Sequence, residues 1–321
     1  MIRSVLMTAG PQAGHIAALW WLMFWICLAI LLLVTGALLL AFWRSRGRAA
    51  TIDTVPLINL DPHRERRISR VVVSCVAATV VILLVFLIAS AATGHRLALL
   101  ASDQALKIRL TGYRWWWKVQ YPGETPAQEM VTANEIHIPT GRPVLIDAYS
   151  QDVIHSFWVA PLHGKKDLVP GHPSSIWIQA DRPGRYEGQC AEFCGLQHAH
   201  MRLVVIAEPQ EKFDAWLQAQ SQPARQPSDP LAQHGLNVFL SGPCVLCHAI
   251  RGTEANGQVA PDLTHLASRA TLAAATLPNS PGNLAGWIVD SQHVKPGNAM
   301  PANSLSAEDL QALLVYLGGL H

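Results

Sequence analysis

Two short stretches of this chain hold side chains that could do redox chemistry. The first is Cys244-Val245-Leu246-Cys247-His248, a C-x-x-C-H pattern of the kind that attaches a haem covalently. Two thiols three residues apart on one helical turn can add to the two vinyl groups of one porphyrin. The histidine that follows is then held under the iron. A thioredoxin-like redox pair would need a βαβ setting, which the flanking residues do not offer. A sixth ligand should lie well downstream, in a loop before the last helix. Met300 is the only methionine after the motif and sits in the Pro-, Gly- and Asn-containing stretch Lys295 to Pro301; His265 and His293 are rivals. Ligation by His and Met raises the haem potential and leaves no open coordination position, which suits electron transfer better than oxygen chemistry.

The second stretch is Cys190-Ala191-Glu192-Phe193-Cys194-Gly195-Leu196-Gln197-His198-Ala199-His200-Met201. It packs two thiols, two imidazoles and a thioether together. A disulfide would leave His198 and Met201 without a role. A Cys2His2 zinc site with His155 as fourth ligand is chemically sensible, but gives Met201 nothing to do. Thiolates, imidazoles and a thioether together favour copper. One blue-copper ion needs only one cysteine, whereas two in one loop can bridge two coppers, each completed by a histidine and a weaker ligand. A shared electron then changes little geometry on reduction.

The elements that must position these groups differ along the chain. Of 321 residues, 50% are hydrophobic and only 14% charged, against about 25% charged in ordinary soluble domains. Ile16 to Trp43 and Val71 to Ala92 are almost wholly apolar, and roughly 20 such residues span a bilayer. The first run is too long for a signal peptide and ends in Trp43-Arg44-Ser45-Arg46 rather than at small residues. Cys27 and Cys75, inside these runs, read as small buried hydrophobes. Arg44, Arg46, Arg48, Arg64, Arg66, Arg67 and Arg70 lie between the runs and only Arg3 precedes them. The positive-inside rule therefore places the connecting loop in the cytoplasm and both chain ends outside. Nothing resembles a nucleic-acid-binding surface.

From about Leu106 the pattern becomes short alternating stretches. Leu106–Leu110, Pro143–Ala148, Ser175–Gln179 and Arg202–Ile206 read as strands separated by turn sequences such as Tyr121-Pro122-Gly123, which predicts a β-sandwich. Glu211 to Gln220 reads as a short helix. Ser221 to Pro230, with three prolines, reads as a semi-rigid extended linker that lets the following module swing or remain docked. Leu231–Leu240 and Ala307–Leu317 read as helices, the last capped by Ser306 with Glu308 and Asp309 in its first turn. The expected domains are 1–95, a transmembrane helical hairpin; 96–209, the sandwich; 210–230, helix and linker; and 231–321, an all-α haem module.

The stretch from Asp152-Val153-Ile154-His155-Ser156-Phe157-Trp158 through Lys166-Asp167, Pro170-Gly171 and Arg182 to Gln189 as far as Met201 closely resembles cytochrome c oxidase subunit II. Gly112-Tyr113-Arg114-Trp115-Trp116-Trp117 resembles that family's aromatic run. The resemblance covers roughly residues 10 to 208, and the appended haem motif points to the bacterial form carrying its own cytochrome c. It implies a transmembrane hairpin, an all-β cupredoxin-like sandwich and an all-α class I cytochrome c domain. It also implies a dinuclear CuA centre held by His155, Cys190, Cys194, His198, Met201 and the Glu192 carbonyl. The Glu192 carboxylate would face a magnesium ion shared with subunit I, and Trp115 would be where electrons reach the copper. Arg114 departs from the family's usual Gln, and His200 stands where other side chains are usual.

The resulting expectation is an electron relay in the bacterial inner membrane, with the metal domains on the periplasmic side. A donor such as a cytochrome c or a quinol–cytochrome c reductase would reduce the haem, the haem the copper, and the copper an oxygen-reducing, proton-pumping subunit I. Subunit III would complete the complex. A copper-bearing subunit of a nitric oxide reductase and a membrane-tethered copper-delivery protein are the alternatives.

Overall fold

The computed structural model describes residues 5–46, 61–98, 105–123, 125 and 128–321. The chain forms two compact units, one comprising His15–Leu99 and the other the remainder.

The first unit contains most of helix α1 (Pro11–Ser45) and helix α2 (Pro62–Ala98). At about 1.5 Å per residue, both are long enough to cross a bilayer, and both are apolar enough. Their large apolar side chains, among them Leu31, Leu32, Leu33, Val72 and Ile88, are exposed, as suits a helix whose surroundings are themselves apolar. Cys27 and Cys75 are likewise exposed on these helices rather than buried within protein. The basic cluster is not confined to a loop as expected. Arg44 lies in the last turn of α1, and Arg64, Arg66, Arg67 and Arg70 lie in the opening turns of α2, which starts at Pro62 with Asp61 accepting the His63 N–H. Charged side chains do not end a helix, so α2 extends outward beyond its apolar run. Arg3 and Arg48 fall outside the described residues.

In the second unit, ten strands make a sandwich: β1 (Leu106–Tyr113), β2 (Trp116–Tyr121), β3 (Met130–Ala133), β4 (Glu135–Pro139), β5 (Val144–Ser150), β6 (His155–Trp158), β7 (Lys166–Leu168), β8 (Ser174–Ile178), β9 (Gly184–Cys190) and β10 (Arg202–Glu208). One sheet runs β3-β2-β1-β5-β8 and the other β4-β10-β9-β6-β7. The pairs β1/β5 and β4/β10 are parallel, so each sheet is closed by residues distant in sequence. The alternation in β1 buries Ile108 and Leu110 while Lys107 and Arg109 face out. Strand β10 is the exception, buried from Leu203 to Ala207, as befits a strand with neighbours on both edges and cover on both faces. The sheets are latched by Tyr121 of β2, whose hydroxyl donates to the His137 carbonyl (2.8 Å) and accepts the His137 N–H (2.7 Å).

Helix α3 (Gln210–Ser221) follows, with Phe213 buried in the sandwich core and Trp216 stacked on His137 at 3.9 Å between ring centroids. The prolines do keep the next residues extended, yet the segment is laid against the haem module. The Ala224 N–H donates to Arg251 O (2.8 Å), and the Arg251 guanidinium donates to Ser221 O (3.2 Å).

The haem module comprises α4 (Pro230–Ser241), a 3₁₀ turn over Pro243–Leu246, the two-residue strands β11 (Thr271–Leu272) and β12 (Leu277–Pro278), then α5 (Pro281–Val289), α6 (Ser291–Val294) and α7 (Ala307–Gly318). Asp229 caps α4, and Ser306 caps α7 by accepting the Asp309 N–H (3.0 Å). Phe239, Ile250, Leu313 and Leu317 belong to a core separate from that of the sandwich.

Candidate metal centres

The two cysteines of the first centre come from the end of β9 and the loop that follows. Gly195 turns that loop at φ +109°, a left-handed conformation that favours glycine. Its absent Cβ would also lie 3.1 Å from the Trp115 ring. The turn brings the Cys190 and Cys194 sulfurs to 3.8 Å, nearly twice the ~2.05 Å of a disulfide, so both remain thiols. His155 opens β6 and puts Nδ1 3.9 Å from the Cys190 sulfur. A 3₁₀ turn over His198–His200 puts His198 Nδ1 3.6 Å from the Cys194 sulfur. The Glu192 carbonyl lies 3.2 Å from Cys190 Sγ, and Met201 Sδ lies 3.8 Å from Cys194 Sγ. All six expected groups therefore converge, in two sets, one about each sulfur.

The electrostatics suit a cation. A hydrogen bond from the Cys194 thiol, against the opposing effect of burial, holds Cys190 well below the usual thiol range; that same bond, with burial, pushes Cys194 up. The pair readily gives up one proton and keeps the second until a cation compensates. Two thiols, two imidazoles, a thioether and one carbonyl form a soft donor set matched to copper.

His200 is not in the set. Its Nδ1 lies 2.9 Å from Gln197 Oε1. The Glu192 carboxylate lies 3.4 Å from Lys165 Nζ.

Two supporting residues carry no metal-binding signal in the sequence. Asp152 Oδ1 lies 2.8 Å from His155 Nε2 and accepts the Val153 N–H at 2.7 Å; Oδ2 accepts the Arg114 N–H at 2.7 Å. Burial alone would raise the Asp152 carboxyl, but these hydrogen bonds outweigh it and hold it below the usual range. The carboxylate thus keeps the His155 proton on Nε2 and leaves Nδ1 free toward the thiols. Gly112 is the other. A Cβ there would sit 2.7 Å from His155 Cδ2, so the histidine ring occupies the place of a side chain. Arg114, whose guanidinium lies 3.7 Å from Asp152, belongs to the same corner.

Cys244, Cys247, His248 and Met300 line a second, predominantly apolar cavity. His248 Nδ1 donates to Pro261 O at 2.7 Å, which reserves Nε2 for a metal, and burial holds the ring below its usual pKa, hence neutral. The Met300 loop is set from both sides: its N–H donates to Asn298 Oδ1 (2.7 Å), and its carbonyl accepts from Ser291 Oγ (2.6 Å). The rival histidines lie outside this cavity. His265 has both ring nitrogens against backbone carbonyls, of His321 (2.7 Å) and Gln222 (3.0 Å), and His293 is exposed. Neither lines the cavity. Arg269 does line it, and its Nε is buried without a hydrogen-bond partner. An anionic edge of a porphyrin would satisfy that donor, so the residues fit a haem.

The two centres share a wall. Trp115 is 8% exposed and its indole N–H donates to the Cys194 carbonyl at 2.9 Å. The same residue, with Arg114 and Trp116, lines the haem cavity. Lys295 is buried between the modules, where burial pushes its ammonium down to about 7 against an opposing pull from Cys194.

Comparison with known proteins agrees with this architecture. Residues 123–208 match the family described as cytochrome c oxidase subunit II, periplasmic domain, and residues 232–321 match cytochrome c. Cytochrome c oxidase subunit 2 of Alkalihalophilus pseudofirmus is 39% identical over 219 residues, 68% of this chain and 62% of that protein. The corresponding protein of Bacillus sp. strain PS3 is 31% identical, over 66% of this chain and 62% of its own length. The chain thus spans about three fifths of these relatives. A solved periplasmic domain of subunit II from Bradyrhizobium japonicum aligns over 37% of this chain and 94% of its own, at 26% identity and a TM-score of 0.35. With the thiol pair, the haem-attachment motif and both family matches in one polypeptide, the chain belongs to the cytochrome c oxidase subunit II family, in the form that carries a cytochrome c domain at its C-terminal end.

Proposed function

We propose that this chain is the electron-transfer subunit of a haem–copper oxidase. Electrons would pass from a donor through a covalent haem c to a dinuclear copper centre and on to an oxygen-reducing subunit. The observation that carries this reading is Trp115, hydrogen-bonded to the copper loop and lining the haem cavity. When bound, both groups would supply one-electron redox chemistry with little change in geometry.

The protein's own residues do the positioning. Cys244 and Cys247 would anchor the porphyrin, and His248 and Met300 would hold its iron, a donor pair that suits electron transfer over oxygen chemistry. Cys190, Cys194, His155, His198, Met201 and the Glu192 carbonyl would hold the dinuclear copper. The Glu192 carboxylate would be available to a magnesium ion shared with subunit I. The apolar helices α1 and α2 would anchor the chain in the bacterial inner membrane. Both metal modules would face the periplasm and the interhelical loop the cytoplasm, the orientation that the arginines favour. Subunit III and a cytochrome c or quinol–cytochrome c reductase donor complete the proposed assembly, and proton pumping would belong to subunit I.

The test is spectroscopic. Cys190→Ser in the full chain should abolish the near-infrared copper absorption and leave the haem spectrum intact. An unchanged infrared band would overturn the copper assignment.

A further inference from the structure

The proposed relay requires the haem module to sit in one place on the copper module, and a proline-containing segment alone would not hold it there. The contacts between the modules are reciprocal. Lys295, 3% exposed, belongs to the haem module. Its ammonium donates to the carbonyls of Trp115 (2.8 Å) and His200 (3.0 Å) in the copper module and to Ala273 of its own module (3.3 Å). An ammonium has three protons, and each has a carbonyl. From the other side, Glu135 of β4 is 4% exposed. Its Oε1 accepts the Ala270 N–H (3.0 Å) and the Thr271 hydroxyl (3.2 Å) of the haem module.

Backbone geometry at the seam points the same way. Ala273, Ala274 and Ala275 all have left-handed φ, between 52° and 58°, which costs energy for any residue with a Cβ and persists where the surroundings over-determine it. The other module contributes to those surroundings, since Ala274 O accepts the Arg202 N–H (3.2 Å), while Lys295 of the same module holds Ala273 O. His200 acquires a role too. It braces Gln197, whose side chain donates to Pro296 O (2.9 Å), next to Lys295. Lys295 lies five residues before Met300 in the same loop, so the loop carrying the iron ligand is pinned to the backbone of the tryptophan between the two centres.

We infer that Lys295 is a positioning residue for haem-to-copper electron transfer: it clasps the haem module onto the backbone of Trp115 and His200, with Glu135 as the reciprocal clasp. This rests on the proposed relay and assigns no new redox group. Lys295 supplies the donor for three carbonyls at the seam, and acceptors left there without a donor carry their desolvation cost, so removing it should release the pose rather than leave the interface as it was.

The experiment uses the full chain carrying both cofactors. The haem is reduced by a light pulse, and electron arrival at copper is followed in the near infrared. Lys295→Met should leave both spectra unaltered but slow the internal transfer at least about tenfold, in proportion to the lost docked fraction. The slowed rate should also depend on solvent viscosity, which the wild-type rate should not. An unchanged, viscosity-independent rate with both centres loaded would overturn the inference. If Lys295→Met fails to load either centre, Glu135→Ala, which removes no ligand of either set, decides: slowing with viscosity dependence supports the clasp, and a wild-type rate overturns it. Absence of copper or haem from the wild-type chain would instead refute the relay itself.

Discussion

Replacing Asp152 by Asn isolates what an outer carboxylate contributes to the copper site. Asp152 binds nothing itself, but its two oxygens face His155 Nε2 on one side and the Arg114 N–H on the other, at 2.8 and 2.7 Å. Asn is nearly isosteric and keeps a single acceptor oxygen. If that oxygen faces His155, the amide NH2 meets the Arg114 N–H. If it faces Arg114, the NH2 meets His155 and favours the tautomer with its proton on Nδ1, the atom that lies 3.9 Å from Cys190 Sγ. Either orientation loses one charge-assisted hydrogen bond, worth roughly 1.5–3 kcal/mol. The Asp152 side chain is 23% exposed, so the lower half of that range applies. At ~1.4 kcal/mol per factor of ten, copper affinity should fall about tenfold, at the low end of the ~10–100-fold typical for such partners. The assay is chelator competition on the full chain, read in the near infrared. The control is Arg114→Ala, which keeps the backbone N–H and loses only an ion pair of a side chain 55% exposed, expected to cost little. An unchanged chelator midpoint for Asp152→Asn, or an equal loss in both variants, would refute the orienting role.

Two further outcomes follow from the same geometry. Gly112→Ala puts a Cβ 2.7 Å from His155 Cδ2, so the ring must move; copper retention should fall while the haem spectrum stays intact, and wild-type copper content measured by metal analysis would contradict this. His163 is held down to about 4 by burial, below the ~6.5 of an unfolded chain. The unfolded state therefore takes up the proton first as pH falls. The stability present above about pH 6.5 is lost progressively toward pH 4, on the order of 2 kcal/mol after discounting partial solvent contact. Denaturant midpoints of His163→Gln should be flatter across that window than wild type, and equal slopes would count against it.

Much of the fold was legible because its signals are local. The apolar runs of α1 and α2, the alternation in β1 and the Ser306 cap are each set by residues within a few positions of one another. The candidate metal ligands were legible for a related reason: a loop presenting Cys190, Cys194, His198 and Met201, or a turn presenting Cys244, Cys247 and His248, is a contiguous string. Local pattern misled in two places. Arg64 to Arg70 read as part of the connecting segment because charge interrupts an apolar run, yet they lie in α2, since a helix tolerates charge outside the bilayer. The cysteines of α1 and α2 read as buried, and they are exposed. Ser221 to Pro230 read as a semi-rigid linker that could swing or remain docked, and only the fold shows its backbone paired with Arg251.

What the sequence by itself determined was the inventory: two helices able to span a membrane, a sandwich, a haem module, and the donor atoms of both centres. Tertiary structure decided how those atoms are held. Asp152 behind His155, Gly112 beneath its ring, and Lys295 and Glu135 across the module seam are separated in sequence from their partners by as many as 180 positions. A lysine in a loop or a glycine in a strand has no pattern of its own; its meaning comes from what the fold brings against it. That is why the sequence named the candidate ligands, while the support beneath His155, the place of Trp115 between the two centres and the clasp beside it emerged only when the chain was folded.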